Sequence, residues 1–173
     1  LAYLAALSKG RAAQMNQGAL NSRGDVLVFL HADTRLPEEA FTVILNGLNS
    51  GWHWGRFDVR FDNPRWWYKL ISTMMNVRSR MSGIATGDQA LFMTRAAYDL
   101  VSGFDEIQLM EDIAMSKKLK TIGRPLCLKQ KVVTAARRWE QKGVLRTVMS
   151  MWWLRLAYYL GVSPDRLAAR YYR

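Results

Sequence analysis

The residues with the clearest chemical potential are carboxylates at the ends of apolar elements. Val26–Leu30 is a continuous apolar run of β-branched and aromatic types, and its length suits a strand buried on both faces, as in a parallel sheet. Polarity flips immediately afterwards at His31, Asp33, Thr34 and Arg35. The strand therefore delivers Asp33 to its carboxyl edge, where open α/β sheets bind ligands. On an extended segment His31 and Asp33, two residues apart, point the same way. A carboxylate there suits Mg or Mn bound to a diphosphate, with substrate phosphates completing the shell. The same residues also read as an ordinary strand exit capping the next helix.

Four further groups could take part. Glu111-Asp112 opens a helical pattern, where the positive dipole end favours acids. A carboxylate in that place can serve as general base on a hydroxyl, or simply cap the helix. Gly87-Asp88-Gln89 is a tight turn at a strand entrance, and glycine lets a ligand approach the backbone. Lys9 and Arg11 flank Gly10 ahead of a helix, which suits phosphate contact or a solvated surface. Arg137, Arg138 and Trp139 combine charge with a flat aromatic, suited to an anionic leaving group or to a solvated linker.

The surrounding pattern supplies the elements that must hold these groups. A helix with Ala12, Met15 and Ala19 at helical spacing precedes the central strand. Pro37, Glu38 and Glu39 read as the first turn of the next helix, whose apolar residues are Phe41, Ile44, Leu45 and Leu48. Phe57, Val59 and Phe61 alternate with Arg56, Asp58 and Arg60, the pattern of a strand with one wet face. Residues 65–80 form a helix, 82–88 a loop, 89–94 a strand and 95–101 a short helix. A helix from Glu111 to Ile122, a strand over 126–135, a charged connector over 137–143, an apolar helix over 144–160 interrupted by Arg146 and Arg155, and a last basic helix complete the chain.

Composition narrows the function class. The chain has 173 residues, half of them hydrophobic, enough for a real core. Cys127 is the sole cysteine, which excludes an intrachain disulfide and any multi-cysteine metal site, and fits a reducing cytosol. The net charge is +11. Residues 137–173 alone carry +6, with eight Lys or Arg against Glu140 and Asp165. Such an excess suits nucleic acid, anionic lipid or a phosphorylated substrate. No uncharged apolar run approaches the ~20 residues that span a bilayer.

Taken in order, Ser8–Gly18 (S-K-G-R-A-A-Q-M-N-Q-G), Phe29–Pro37 (F-L-H-A-D-T-R-L-P), Gly87–Phe92 (G-D-Q-A-L-F), Gly103–Glu106 (G-F-D-E), Leu109–Ile113 (L-M-E-D-I) and Arg137–Trp139 (R-R-W) resemble an inverting family 2 glycosyltransferase of the GT-A fold. The ordered set is similar in particular to the bacterial arsenosugar-biosynthesis type. The resemblance implies a Rossmann-like mixed α/β sheet flanked by helices, with a partial GT-A domain over 1–136 and a basic, aromatic helical extension over 137–173. It implies that Asp112, with Glu111, is the catalytic pair, that Asp33 holds the divalent cation, Mg or Mn, and that Lys9, Arg11 and Asn16 face the nucleotide. It places His31, Gly87, Asp88, Arg138 and Trp139 around the substrates. His31 stands where the family's metal motif has its first Asp, and Ala135 stands where processive relatives have a Gln. The usual opening strands are expected upstream of Leu1, roughly 60 residues if they form two βαβ units of about 30 each.

The expected partners are a nucleotide-sugar donor, an acceptor and a second copy of the chain, with peripheral contact at the inner face of the membrane and a cytoplasmic location. Carboxylates in the groove argue against nucleic acid as a partner. The alternative is a basic, non-catalytic module for nucleic acid or anionic membrane. The last long helix, 144–160, sharpens that choice. Arg146 and Arg155 lie nine residues apart, about half a turn out of phase, so they share no polar stripe. That pattern favours packing against protein over a membrane interface.

Overall fold

The computed structural model describes residues 10–171, apart from the side chains of Arg138 and Lys142. The chain forms two compact units. One comprises Ser22–Gly103 and Asp112–Ala136. Among the described residues, the other is built from 10–21, Phe104–Glu111 and 137–171.

The larger unit is a five-stranded mixed sheet in the order β1-β4-β3-β5-β2. Its strands are β1 (Val26–Phe29), β2 (Thr34–Arg35), β3 (Trp54–Phe61), β4 (Leu91–Thr94) and β5 (Leu126–Thr134). β3 and β5 pair in parallel and the other neighbours are antiparallel. Helices α2 (Ala40–Asn49), α3 (Trp66–Ser82), α4 (Arg95–Leu100) and α5 (Glu111–Lys120) flank the sheet, which is the mixed α/β architecture the resemblance implies.

β3 is the centre of the core. Phe57 and Val59 pack with Ala40 and Ile44 of α2, Phe92 of β4 and Val132 of β5. Gly55 belongs to this seam by necessity, because a Cβ there would stand 2.4 Å from the Leu126 carbonyl and 2.5 Å from the Phe92 ring. Of the expected wet face of β3 only Arg60 is exposed. Arg56 is 0% exposed and Asp58 is buried. A bulge between Phe57 and Asp58 interrupts the pairing with β5, and α3 supplies the partners of the charged residues. Asp58 accepts from Arg56 Nη1 and, at 2.7 Å, from Arg80 Nη2. The Asn76 amide bonds both the N–H (2.9 Å) and the carbonyl (3.0 Å) of Val59, so α3 is sewn to the strand backbone. Arg80 also donates to the Cys127 carbonyl on β5 at 3.0 Å.

Other elements differ from the sequence reading. β1 is an antiparallel strand at the end of the strand order, with Leu27 its only buried residue, rather than a strand covered on both faces. Residues 31–34 form a tight turn, closed by Thr34 N–H on the His31 carbonyl at 3.0 Å, so the alternation expected of an extended His31-Ala32-Asp33 segment does not apply. α2 starts at Ala40, because Pro37 to Ala40 is spent on a turn of its own. Its residues Phe41 and Leu45 are exposed, and Ile44 carries the packing. α3 likewise exposes Trp66, Leu70, Met74, Val77 and Met81 along its length.

In the smaller unit, α1 (Arg11–Asn21) is tied to segment 104–111. The Asn16 amide donates to the Phe104 carbonyl (2.8 Å) and accepts from its N–H (2.9 Å). The expected connector over 137–143 is helical, as α6 (Arg137–Lys142). α7 (Val144–Tyr159) and α8 (Pro164–Tyr171) follow. α7 buries Thr147, Leu154 and Ala157 and exposes much of its apolar surface. Among the described residues no helix is long and apolar enough to cross a membrane.

Candidate active site

α5 presents every fourth residue to the loop before β4. Its first contact is Asp112, whose Oδ2 accepts the Gly87 N–H at 3.0 Å. One turn on, Ser116 Oγ accepts the Ala85 N–H at 3.0 Å. A further turn on, Lys120 Nζ donates to the Ser82 carbonyl at 2.7 Å. This i, i+4, i+8 row fixes the 82–87 segment along the helix. The other oxygen of Asp112 accepts the Ile113 N–H at 2.8 Å. A carboxylate has about four acceptor positions. Each oxygen thus keeps acceptor capacity for a hydroxyl while its orientation is set.

The Gly87 side of this contact is itself anchored. Gly87–Gln89 is a single 3-10 turn with a capping box, in which the Gln89 side chain accepts the Thr86 N–H at 3.2 Å. Gln89 is 0% exposed, and its Nε2 lies 3.4 Å from Asn76 Oδ1, the amide that grips β3. A hydrogen-bonded path therefore runs from β3 through Asn76 and Gln89 to the turn that holds Asp112. Ala90 (φ 48°) and Met110 (φ 71°) are non-glycine residues in left-handed backbone, and they flank the two partners of this contact. Such conformations cost of order 1–3 kcal/mol and persist where the surroundings impose them.

Asp88, next to Gly87, pairs with His31. Its Oδ1 stands 3.1 Å from His31 Nδ1. Sequence reasoning placed both residues near substrate but did not pair them. The signal it lacked is the β1–β4 register, with Phe29 opposite Leu91, which brings the end of one strand to the entrance of the other.

Asp33 is exposed and lines an open cleft of about 280 Å³ with Arg35, Asp62 and Thr134. The cleft exists because β2 pairs with the end of β5: Thr34 lies opposite Thr134, their hydroxyls are 3.1 Å apart, and the Ala135 N–H reaches the Asp33 carbonyl. Asp62, which the sequence reading treated only as part of a chain break, is held by the Ala136 N–H at 2.8 Å. Among the described residues no three His, Cys, Asp or Glu side chains stand close enough to hold a cation alone. Asp33 and Asp62 instead offer the hard oxygen donors that Mg or Mn takes when phosphates and water complete the shell. The donor set fits a substrate-completed site.

The other expected site residues that are described belong to the smaller unit. Glu111 is buried and pairs with Arg11 at 3.0 Å, and Asn16 has both ends of its amide on Phe104. Trp139 is half-buried on α6. Lys9 and the side chain of Arg138 fall outside the described residues.

No curated protein matches this sequence. The sequence profile of glycosyl transferase family 2 matches residues 6–100, which include α1, the Asp33 turn, β3, α3 and the Gly87–Gln89 turn. That match covers more than half of the chain, so the protein belongs to glycosyl transferase family 2 and is a glycosyltransferase.

Proposed function

We propose that the protein transfers a sugar from a nucleotide-diphosphate donor to an acceptor hydroxyl with inversion, and that Asp112 is the general base. The observation that carries this reading is the double anchoring of Asp112, by Gly87 N–H on one oxygen and Ile113 N–H on the other. A base must be aimed at the proton it takes, and a carboxylate held at both oxygens loses little freedom when the acceptor arrives. Asp112 takes the hydroxyl proton as that oxygen attacks the anomeric carbon. The bond to the diphosphate breaks on the opposite face, and its electrons leave with the phosphate.

Asp33, with Asp62 beside it, would hold the Mg or Mn ion, which when bound supplies positive charge to the departing diphosphate. His31 and Asp88 form a close imidazole–carboxylate pair suited to orienting the donor. Arg138 and Trp139 are assigned to the leaving group on their residue types. Arg11, Asn16 and Glu111 act at one remove: their mutual contacts with segment 104–111 order the chain that leads into Asp112. The order of the motifs supports the arsenosugar-biosynthesis type as the subfamily.

The test is a donor-transfer screen with Asp112→Asn. Turnover should fall by about 10²–10⁴-fold while donor affinity stays constant, because the base acts in the transition state. Undiminished turnover would reduce Asp112 to a structural residue at the start of α5. In the companion experiment, calorimetry with UDP and Mn should show binding to the parent protein and none to Asp33→Asn. Equal affinity would remove the metal role from Asp33.

A further inference from the structure

We propose that the exposed face of α7 docks on an anionic lipid surface. The helix turns about 100° per residue. On that wheel Leu145, Met149, Trp152, Leu156, Tyr159 and Leu160 fall in one sector, and all six are exposed, from 55% at Tyr159 to 76% at Leu160. Thr147, Leu154 and Ala157, the buried residues, fall on the opposite side. The exposed apolar residues therefore share one sector, and on that pattern we prefer a lipid interface to the protein packing that the arginine spacing suggests. Arg146 and Arg155, half a turn apart, do not need to share a stripe. They sit at the two margins of the apolar sector, one on each side.

An apolar stripe of Leu, Met, Trp and Tyr bordered by arginines is the composition of a helix lying in a lipid interface. The apolar side chains enter the acyl boundary, and the flanking guanidiniums reach the phosphates. The charge of the region selects this occupant. Residues 137–173 carry +6, so a second copy laid face to face would bring like charges together. A nucleic acid would gain nothing from the apolar row. Trp153, at the margin of the sector, lies under the Arg170 guanidinium at 4.0 Å, which extends the cationic border onto α8. The exposed row on α3 has a weaker claim, because Arg80 at its end is committed to Asp58 and the Cys127 carbonyl.

The test is flotation of the full chain with phosphatidylcholine vesicles, with and without phosphatidylglycerol, at low salt and at about 0.15 M salt. Binding should require phosphatidylglycerol and weaken with salt. Trp152→Ser with Leu156→Ser should weaken it by at least about tenfold, since each side chain is worth more than one such factor when buried. Arg146→Glu should weaken it as well. Leu70→Ser with Met74→Ser on α3 should leave it unchanged. All substituted positions are exposed, so circular dichroism should be the same for every variant. Equal binding by the α7 variants, or equal binding to pure phosphatidylcholine, would overturn the proposal. So would selective loss in the α3 variant. Light scattering that shows a dimer dissolved by the α7 substitutions would assign the face to a second copy instead. Displacement from vesicles by RNA with no effect of the apolar substitutions would assign it to nucleic acid.

Discussion

On β3 a guanidinium and a carboxylate lie in the interior, while on α7 a row of tryptophan, leucine, methionine and tyrosine stands in water. The two elements invert the usual distribution of polarity, and for different reasons. Arg56 and Asp58 are tolerated inside because α3 brings Arg80 and Asn76 against the strand, so charges and backbone groups are paired. Such a cluster contributes less to stability than it costs to disrupt. The apolar row of α7 instead stands largely in solvent, from Leu145 to Leu160. The first departure fixes architecture, and the second leaves a surface available for use.

Single substitutions should separate these roles, with the largest effects on β3. Arg56→Ala leaves Asp58 without its most buried partner and should cost about 3–5 kcal/mol in denaturant unfolding. Replacing Arg56 and Asp58 together by Met and Leu should cost less than the single change, since Arg80 is partly exposed and can turn to water. A single change below about 1 kcal/mol would show that the buried pair is not what holds β3 to α3.

Gln89→Leu comes next. It removes the acceptor of the Thr86 N–H and the contact with Asn76, at about 1–3 kcal/mol by urea titration. Turnover should also drop with donor affinity constant, because Gly87 loses its support for Asp112. Stability loss without any kinetic change would cut the path from β3 to the site.

Tyr98 lies between the two extremes. It is half-buried and stacked on Phe29, with ring centroids 5.9 Å apart. Burial holds its hydroxyl above the ordinary tyrosine range, the Asp99 carboxylate adds to that, and Arg95 opposes it. The folded state thus keeps the proton longer than the unfolded chain. Its contribution is complete below the unfolded value, near 10, and is lost as pH rises toward the folded value. Unfolding measured at increasing pH above about 9 should show a steeper decline for the parent than for Tyr98→Phe. Identical slopes would count against burial of this hydroxyl.

The smallest effect belongs to α7. Trp152→Ser should change stability by no more than about 0.5 kcal/mol despite the size of the side chain. A loss comparable to that of a core aromatic would mean that this face is covered in solution.

Sequence reasoning recovered the elements whose pattern is local. The α3, α5 and α7 helices, the β5 strand and the mixed α/β class follow from apolar spacing and from punctuation such as Gly123 and Pro125. The place of Asp112 at the start of α5 was legible because Glu111-Asp112 opens a helix. What escaped depends on contacts between distant segments. The alternation of Phe57, Val59 and Phe61 with charged residues reads as one wet face, and only Arg80 and Asn76, some 20 residues away on α3, make burial of those charges possible. The two-residue β2 strand has no periodicity to detect, and it exists through pairing with Thr134 and Val133. The roles of Asp62 and Gln89 were missed for the same reason, since each is defined by backbone groups it holds in place.

Cys127 gives the molecule a built-in clock. It is the chain's sole cysteine, half-buried on β5, with its carbonyl under Arg80. Part of the residue stands in solvent, so a thiol reagent labels the native protein at one known position on the central seam. A variant that loosens the β3–β5 pairing should therefore raise the labelling rate above that of the parent, without denaturant.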